Sequence, residues 1–181
     1  GTNQGGVNHL SKSGDRIAIY DIPKDPDTGV ASKDIKAIHI KGDKIYFGSH
    51  NSSLSCLDKH TGKIKLLNGI GKSTYEIREY GKDYLWLGTL TGLKLYDTKK
   101  GTETNTQLDG VVLALHYDET DGRLWVGYKD STAVVKCEGL NMLREDIPDL
   151  KSLKGVRQFF KDDGGLLWIA SDFGLFKGKM R

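Results

Sequence analysis

The stretch LWLGT at residues 85–89 returns as LWVGY at residues 124–128 and as LWIAS at residues 167–171. A softened copy, IYFGS, stands at residues 45–49, and the chain opens on Gly1 and Thr2, which match the last two letters of LWLGT. The aromatic position therefore steps through 46, 86, 125 and 168, at intervals of 40, 39 and 43 residues. A period near forty with strand-like content is typical of a β-propeller with one repeat per blade.

The segment 74–106 shows how one repeat is expected to fold. An alternating strand at 75–80 is followed by an apolar strand at 84–88, a third strand at 93–97 and a polar strand at 103–106, with glycine-containing turns between them. Four antiparallel strands in a meander make one blade. Because blades stack face to face, the second strand is covered on both sides and needs no polar alternation. Its tryptophan supplies apolar area, and the glycine after it allows close approach of a neighbour.

The whole chain predicts an all-β fold, a β-propeller of about four to five blades built from four antiparallel strands each. The first repeat begins after its second strand should have occurred, and the last one lacks a fourth strand, so we expect an arc of a larger propeller. Open blade edges tend to pair with another copy, which predicts a homodimer or pairing within a parent sensor. The expected blade units are approximately 1–22 (partial), 34–67, 74–106, 111–145 and 156–178 (partial).

The composition narrows the class of protein. Hydrophobic residues make up 37% and charged residues 28% of the 181, and the net charge is +3. Such a mild charge without a run of lysine and arginine argues against a nucleic-acid partner. No apolar run approaches the roughly 18 residues of a membrane helix, so a membrane is expected only through a parent protein. Cys56 and Cys137 lie two repeats apart and are expected to be free thiols.

No catalytic, metal or cofactor site is predicted. The five histidines do not show the spacing of a zinc site. The sequence contains no nucleophile elbow, Walker loop or dinucleotide fingerprint. The acidic stretches at 23–29 and 162–165 are interpreted as an inter-blade loop and a hairpin turn, because a calcium loop needs a denser set of oxygen ligands. A glycosidase-like carboxylate pair stays open, although nothing points to a particular pair.

Candidate ligand-binding residues occupy one position of the first strands. His39 and His116 fall at matching places there, and Arg78 and Phe160 occupy the equivalent places in the other repeats. First strands line the central channel of a propeller, so we expect His39, Arg78 and His116 to be able to face a ligand. The alternative is that these side chains point into an inter-blade layer or into water.

A second candidate set lies in the turns between second and third strands, which differ from blade to blade on one face of the fold. Variation on a repeated scaffold is where binding usually occurs. Polar and aromatic side chains there would suit sugar hydroxyls, and the alternative is ordinary turn preference. The candidates are His50, Asn51, Asp130, Asp172 and Phe173.

The stretch from residue 85 to residue 97, in which LWLGT is followed by Gly-Leu and ends in LYD, resembles the two-component regulator propeller repeat. The segments 162–175, 118–127 and 1–8 are similar to it. Tyr46 replaces tryptophan, Ala170 replaces glycine, and the strand at 132–137 lacks the usual Gly-Leu. The segment 54–64 instead resembles the repeats of quinoprotein-type propellers.

The resemblance implies a non-catalytic sensor module in the periplasm. Such repeats form the extracytoplasmic regions of hybrid two-component regulators, notably in Bacteroides and other gut Bacteroidetes, where they typically sense oligosaccharides. A histidine kinase lies beyond the membrane in such proteins, and the propellers hold no catalytic residues or cofactor. A protein-interaction propeller, and a fragment of a propeller enzyme such as a quinoprotein or a polysaccharide lyase, are the alternatives.

Overall fold

The computed structural model describes residues 5–20, 32–150 and 152–179, and nearly all regular structure in them is β-strand. A single turn of 3-10 helix lies at Pro148–Leu150. The strands are β1 (Val7–Leu10), β2 (Arg16–Tyr20), β3 (Ile35–Lys41), β4 (Lys44–Ser49), β5 (Ser55–Asp58), β6 (Ile64–Leu66), β7 (Thr74–Tyr80), β8 (Tyr84–Thr89), β9 (Gly92–Asp97), β10 (Thr102–Asn105), β11 (Val112–Asp118), β12 (Arg123–Tyr128), β13 (Thr132–Glu138), β14 (Asn141–Glu145), β15 (Val156–Lys161), β16 (Leu166–Ser171) and β17 (Gly174–Lys179).

These strands form five antiparallel sheets in chain order, and each sheet is a meander of consecutive strands. We call them the first blade (β1–β2), second blade (β3–β6), third blade (β7–β10), fourth blade (β11–β14) and fifth blade (β15–β17). The predicted all-β propeller arc is thereby confirmed. The Gly1-Thr2 pair and the loop 23–29 lie outside the described residues.

The first strands of the four later blades lie side by side along the inner edge of the arc. β7 packs against both β3 and β11, and β11 also packs against β15. Each of these strands carries a β-bulge after its first residue, where the register with the second strand shifts. A bulge increases the local twist of the strand, which suits a sheet that must stay packed against its neighbours on both sides.

The core is divided into layers, one between each pair of neighbouring blades. Four separate clusters of buried apolar side chains occur in the described chain, and each draws its members from two successive sheets. The layer between the third and fourth blades, for example, joins Trp86 and Leu95 to Leu115 and Val126. Cys56 and Cys137 are buried in two different layers and are both free thiols.

The glycine of the repeated phrase is the point of closest approach between blades. A Cβ atom built on Gly127 would lie 2.8 Å from Cβ of Val156, the first residue of β15. Gly88 stands in the same relation to Val112, at 2.7 Å from a methyl group, and Gly48 to Thr74, at 2.8 Å from the carbonyl oxygen. Since real Cβ atoms do not approach that closely, each of these three positions requires glycine for packing.

The fifth blade, which has no following blade in the described residues, agrees with this need for glycine at the contact between blades. Ala170 stands where the earlier blades carry glycine, and the face of β16 that it shares with Trp168 is half-exposed in the described structure. Leu167 and Ile169, on the opposite face of β16, are buried against the fourth blade. The alternation of exposure along β16 therefore reflects a sheet that is covered on one side only by the described residues.

The close contact at Gly127 predicts a stability effect that depends on position. Gly127→Ala should lower the free energy of unfolding by about 1–3 kcal/mol, because the added methyl group overpacks the contact with Val156. The matched control is Gly178→Ala, since Gly178 also lies in a strand but has no atom within 4 Å of its virtual Cβ. Urea denaturation of both variants measures the difference, and equal midpoints would contradict the packing role of Gly127.

Candidate functional site

The four slot residues His39, Arg78, His116 and Phe160 occupy one equivalent place in successive blades. Each is directly opposite the aromatic residue of the second strand, in the pairs His39–Tyr46, Arg78–Trp86, His116–Trp125 and Phe160–Trp168. Cross-strand partners share a face of the sheet, and Tyr46, Trp86 and Trp125 pack toward the following blade. His39, Arg78 and His116 therefore point along the inner edge toward the next first strand, where His39 and Arg78 form hydrogen bonds, whereas Phe160 is exposed.

His39 contacts a carboxylate of the next blade. Its Nε2 lies 3.2 Å from Oε1 of Glu79, and Lys41 donates to Oε2 of the same carboxylate at 2.9 Å and to the Gly81 carbonyl at 3.1 Å. Burial lowers the pKa of His39, although the hydrogen bond with Glu79 acts in the opposite direction. Burial would raise the pKa of Glu79, but the hydrogen bonds with Lys41 and His39 outweigh it, so that the pKa is lowered.

Arg78 bridges the third and fourth blades. Its Nε donates to the carbonyl of Leu115 at 3.0 Å, and its Nη1 donates to the carbonyl of Ile77 at 3.1 Å and lies 2.7 Å from the Glu76 carboxylate. Burial raises the pKa of Glu76, partly opposed by the charge of Arg78. The guanidinium is thus held by three acceptors at the inner edge.

His116 is the slot residue whose polar atom is left unsatisfied. Its Nε2 is buried and has no hydrogen-bond partner. Burial lowers the pKa of His116, the charges of Arg78 and Lys161 lower it further, and Asp118 and Asp121 act against them. The neutral imidazole is therefore favoured, because burial penalises the protonated form more than the two carboxylates stabilise it.

An ion pair joins the fourth and fifth blades beside His116. Lys161 donates to Oδ2 of Asp118 at 2.6 Å, and Thr120 donates to Oδ1 through both its backbone N–H and its hydroxyl. Burial would raise the pKa of Asp118, but the hydrogen bonds from Lys161 and Thr120 outweigh it and hold the pKa at about 2. The carboxylate is therefore ionised throughout the neutral range.

Glu79, Asp118 and Lys161, which form contacts between neighbouring blades, were not among the sequence-predicted site residues. Glu79 lies 40 residues from His39, and Lys161 lies 43 residues from Asp118, so each pair is separated by one repeat. An alignment of the four first strands shows which residues occupy equivalent positions. A search of that alignment for opposite charges about one repeat apart would have found both pairs.

The second candidate set lies on the loop face, which we define as the turns between second and third strands together with the connections between blades. The turns bond to these connections through the backbone. Ser73 donates to the Ser52 carbonyl at 3.0 Å, and Gly155 donates to the Lys129 carbonyl at 2.9 Å. On the loop face, the turns of the second and fourth blades are therefore bonded to the connection that leads into the next blade.

His50 and Asn51 lie together at the boundary of the second and third blades. Nδ1 of His50 is 3.0 Å from the Tyr75 hydroxyl, and the two rings are 6.1 Å apart. Asn51 has a left-handed φ of 57°, and its backbone N–H donates to the Ser73 hydroxyl at 3.0 Å. The amide side chain of Asn51 lies on an exposed turn whose backbone is hydrogen-bonded to Ser73.

The remaining loop-face candidates differ in how far they are already engaged. Asp172 receives two hydrogen bonds from Arg157, at 2.8 and 2.9 Å, and this pairing lowers the pKa of its carboxyl. Asp130 is exposed, and Phe173 leaves 75% of its surface in solvent. An exposed carboxylate and an exposed aromatic ring are groups that can take up a polar ligand with an apolar face.

Two searches of the described residues gave negative results. Within 5–20, 32–150 and 152–179, no three histidine, cysteine, aspartate or glutamate side chains are grouped to hold a metal ion. The same part of the chain forms no helix with the length and apolar character needed to cross a membrane.

The arrangement of strands and layers defines a β-propeller arc, and comparison with solved structures relates it to particular proteins. The chain is similar to the extracellular domain of a hybrid two-component system from B. thetaiotaomicron, with a TM-score of 0.81 at 15% identity over 99% of this chain. The extracellular domain of a second B. thetaiotaomicron hybrid two-component system matches with a TM-score of 0.78 at 18% identity over 98% of the chain. The predicted resemblance is confirmed at the level of fold.

A similar fold also occurs in a complex that is not a two-component system. A chain of the mitotic checkpoint complex matches with a TM-score of 0.76 at 11% identity, over 99% of this chain and 57% of its own length. The present chain covers 25% of each of the two B. thetaiotaomicron domains, so it spans about a quarter of their length. No protein-family model matches the sequence, and no curated protein matches it.

The half-buried histidines His39 and His116 predict a loss of stability at mildly acidic pH. The pKa values of His39 and His116 are lowered in the folded chain, so the unfolded chain binds more protons once the pH falls below about 6.5. The free energy of unfolding should therefore decrease between about pH 7 and pH 5, before Asp118 and Glu79 take up protons. Urea denaturation midpoints measured across this pH range give the dependence of the free energy of unfolding on pH.

Substitution of single histidines shows which residues cause the pH dependence of the free energy of unfolding. His116→Gln should flatten it, whereas His9→Gln changes an exposed histidine and serves as the matched control. A slope that is the same in wild type, His116→Gln and His39→Gln would show that neither imidazole causes it.

Proposed function

We propose that this chain is a non-catalytic, extracytoplasmic sensor module of a hybrid two-component signalling protein, and that its ligand is an oligosaccharide. The observation that carries the proposal is the similarity of nearly the whole chain to extracellular domains of two B. thetaiotaomicron hybrid two-component systems. The same likeness supports a periplasmic location. Because fold similarity at this identity does not transfer a ligand, the nature of the ligand is argued from the loop face.

The loop face offers groups suited to a sugar. Phe173 presents an exposed ring, against which the apolar face of a pyranose can pack, and Asp130 presents an exposed carboxylate for its hydroxyl groups. Asn51 adds an amide on a turn fixed by Ser73. These side chains belong to different blades, so a ligand that contacts them must be an extended oligomer rather than a single sugar.

The inner edge is a less favourable place for the ligand. His39 and Arg78 are already bonded to Glu79 and to the Leu115 carbonyl. A ligand would have to replace these contacts, whereas Asp130 and Phe173 are exposed. The slot residues are therefore proposed to couple neighbouring blades, and the loop face to receive the ligand.

Signalling then follows from the way the loop face is built. The turns of the second and fourth blades are hydrogen-bonded to the connections that lead into the next blades, so a ligand that spans two turns favours one relative position of two blades. A ligand changes an equilibrium by its difference in affinity for the two states. We propose that this difference biases the arrangement of two sensor copies, which pair through open blade edges.

Isothermal titration against a panel of defined oligosaccharides tests the proposal. One panel member should bind, and Phe173→Ala should weaken its affinity by about tenfold, which corresponds to 1.4 kcal/mol. The matched control is Lys82→Ala, because Lys82 is exposed in the turn between first and second strands, on the opposite face of the blades. Binding that Lys82→Ala weakens as much as Phe173→Ala would contradict a loop-face site.

A further inference from the structure

A groove lies between the third and fourth blades, at the outer rim of the arc. It has a volume of about 490 Å³, and its walls are formed by the outer strands of the third blade and by the turn that joins β13 to β14. Both blades have all four strands, so the groove is enclosed by two complete neighbours. Its size falls within the roughly 300–1,000 Å³ that is typical of small-molecule sites.

A difference between equivalent residues accounts for space at this boundary. Between the second and third blades, Tyr96 of β9 packs edge-on against Tyr46, with the ring centres 6.3 Å apart. Tyr96 is paired with Leu85 of its blade, and Val135 is paired with Leu124 in the fourth blade. Val135 is therefore the equivalent of Tyr96, and the smaller side chain fills less of the layer between the third and fourth blades.

The third blade contributes a wall that combines aromatic rings with hydroxyl groups. Cross-strand partners share a face of a sheet, and the register of β8, β9 and β10 places two rows of groove-lining residues on one face. The rows are Trp86, Leu95 and Thr104, and Tyr84, Asp97 and Thr102. Asn141 adds an amide from the turn of the fourth blade. A ligand in the groove therefore meets apolar ring surface and hydrogen-bonding groups together.

The indole N–H of Trp86 is a buried donor without an acceptor. Trp86 is 1% exposed, and its Nε1 has no hydrogen-bond partner in the described part of the chain. The equivalent Trp168 of the fifth blade donates to Oδ2 of Asp162 at 2.7 Å. A buried donor that stays unpaired is unfavourable, so an oxygen atom of a ligand in the groove would supply what the third blade lacks. Met142, which packs against the cluster that contains Trp86, is unbranched and adaptable and can move to admit that oxygen.

The charges in the groove favour a neutral ligand. The Lys100 ammonium lies 3.8 Å from the Asp97 carboxylate, and the same carboxylate accepts hydrogen bonds from the backbone N–H groups of Lys99 and Lys100 at 3.0 and 2.9 Å. One positive and one negative charge thus balance each other. The other polar lining residues are threonine, asparagine and glutamine, whose side chains both donate and accept hydrogen bonds. Such a lining suits a ligand that is rich in hydroxyl groups.

We propose that this groove is a binding site for a neutral pyranose sugar unit. The Tyr84 ring packs against the apolar face of the sugar, the hydroxyl groups of Thr102 and Thr104 bond to its hydroxyl groups, and one sugar oxygen accepts the Trp86 indole proton. The site lies at the rim between two blades, apart from the loop face, and it does not depend on the oligosaccharide site proposed there.

The Trp86 indole proton provides a direct readout. The probes are methyl β-D-glucopyranoside, methyl β-D-galactopyranoside and methyl α-D-mannopyranoside, each titrated into the nitrogen-15-labelled chain and followed by two-dimensional proton–nitrogen NMR. The chain has three tryptophans, and the spectra of Trp125→Phe and Trp168→Phe leave the remaining indole signal to Trp86. At least one glycoside should move this signal downfield in a saturable manner, together with the backbone amide signals of β10.

Two threonine variants locate the site. Thr104→Val removes one exposed hydroxyl from the groove and should weaken the affinity for the glycoside about fivefold, the effect of one neutral hydrogen bond. The matched control is Thr91→Val, because Thr91 is an exposed threonine of the same blade that lies in the turn between β8 and β9, and it should leave the affinity unchanged.

Three results would overturn the proposal. They are a Trp86 signal that no glycoside moves, an affinity that Thr104→Val leaves unchanged or that Thr91→Val lowers equally, and amide shifts confined to the loop face. The last result would support the oligosaccharide site proposed for the loop face, so the two proposals can fail separately.

Discussion

The second strand of each complete blade carries an aromatic residue followed by glycine, and both residues touch the next blade. The glycine allows the first strand of that blade to come within a distance that no Cβ would permit, as at Gly127 and Val156. The aromatic ring fills the remaining volume of the layer, as Trp86 does beside Leu115. The spacing of the blades is therefore set by one small residue and one large residue that are two positions apart.

A consequence is that stability is shared among layers rather than held in one core. Each layer needs two blades, so a single blade buries only half of its apolar surface. The described structure accordingly leaves apolar side chains exposed on the fifth blade, which has a neighbour on one side only in the described residues, including Phe160 at 61% and Leu175 at 67%. Repeats of this kind stabilise their neighbours, and the faces at the two ends of the arc differ from those inside it.

The fold was accessible from the sequence because the repeated phrase marks one strand and the turn glycines mark the others. The site was accessible only in part. Repeat alignment placed His39, Arg78 and His116 in one slot, as the register confirms. It did not reveal that Glu79 holds His39, or that Arg157 holds Asp172, because an alignment gives the position of a residue and not the direction of its side chain. A turn residue in isolation does not indicate whether its charge is already paired.

The comparison of equivalent positions also separates what the architecture requires from what it leaves open. Opposite the constant aromatic position, the slot holds histidine, arginine, histidine and phenylalanine in turn. Packing accepts each of them, since the slot lies at the inner edge where a side chain can bond to the next first strand. Because the residue in the slot varies while the packed layer beside it stays the same, the slot residue can be selected for contacts other than packing. A repeated scaffold of this kind can thus change its ligand or its partner without changing the geometry that stabilises it.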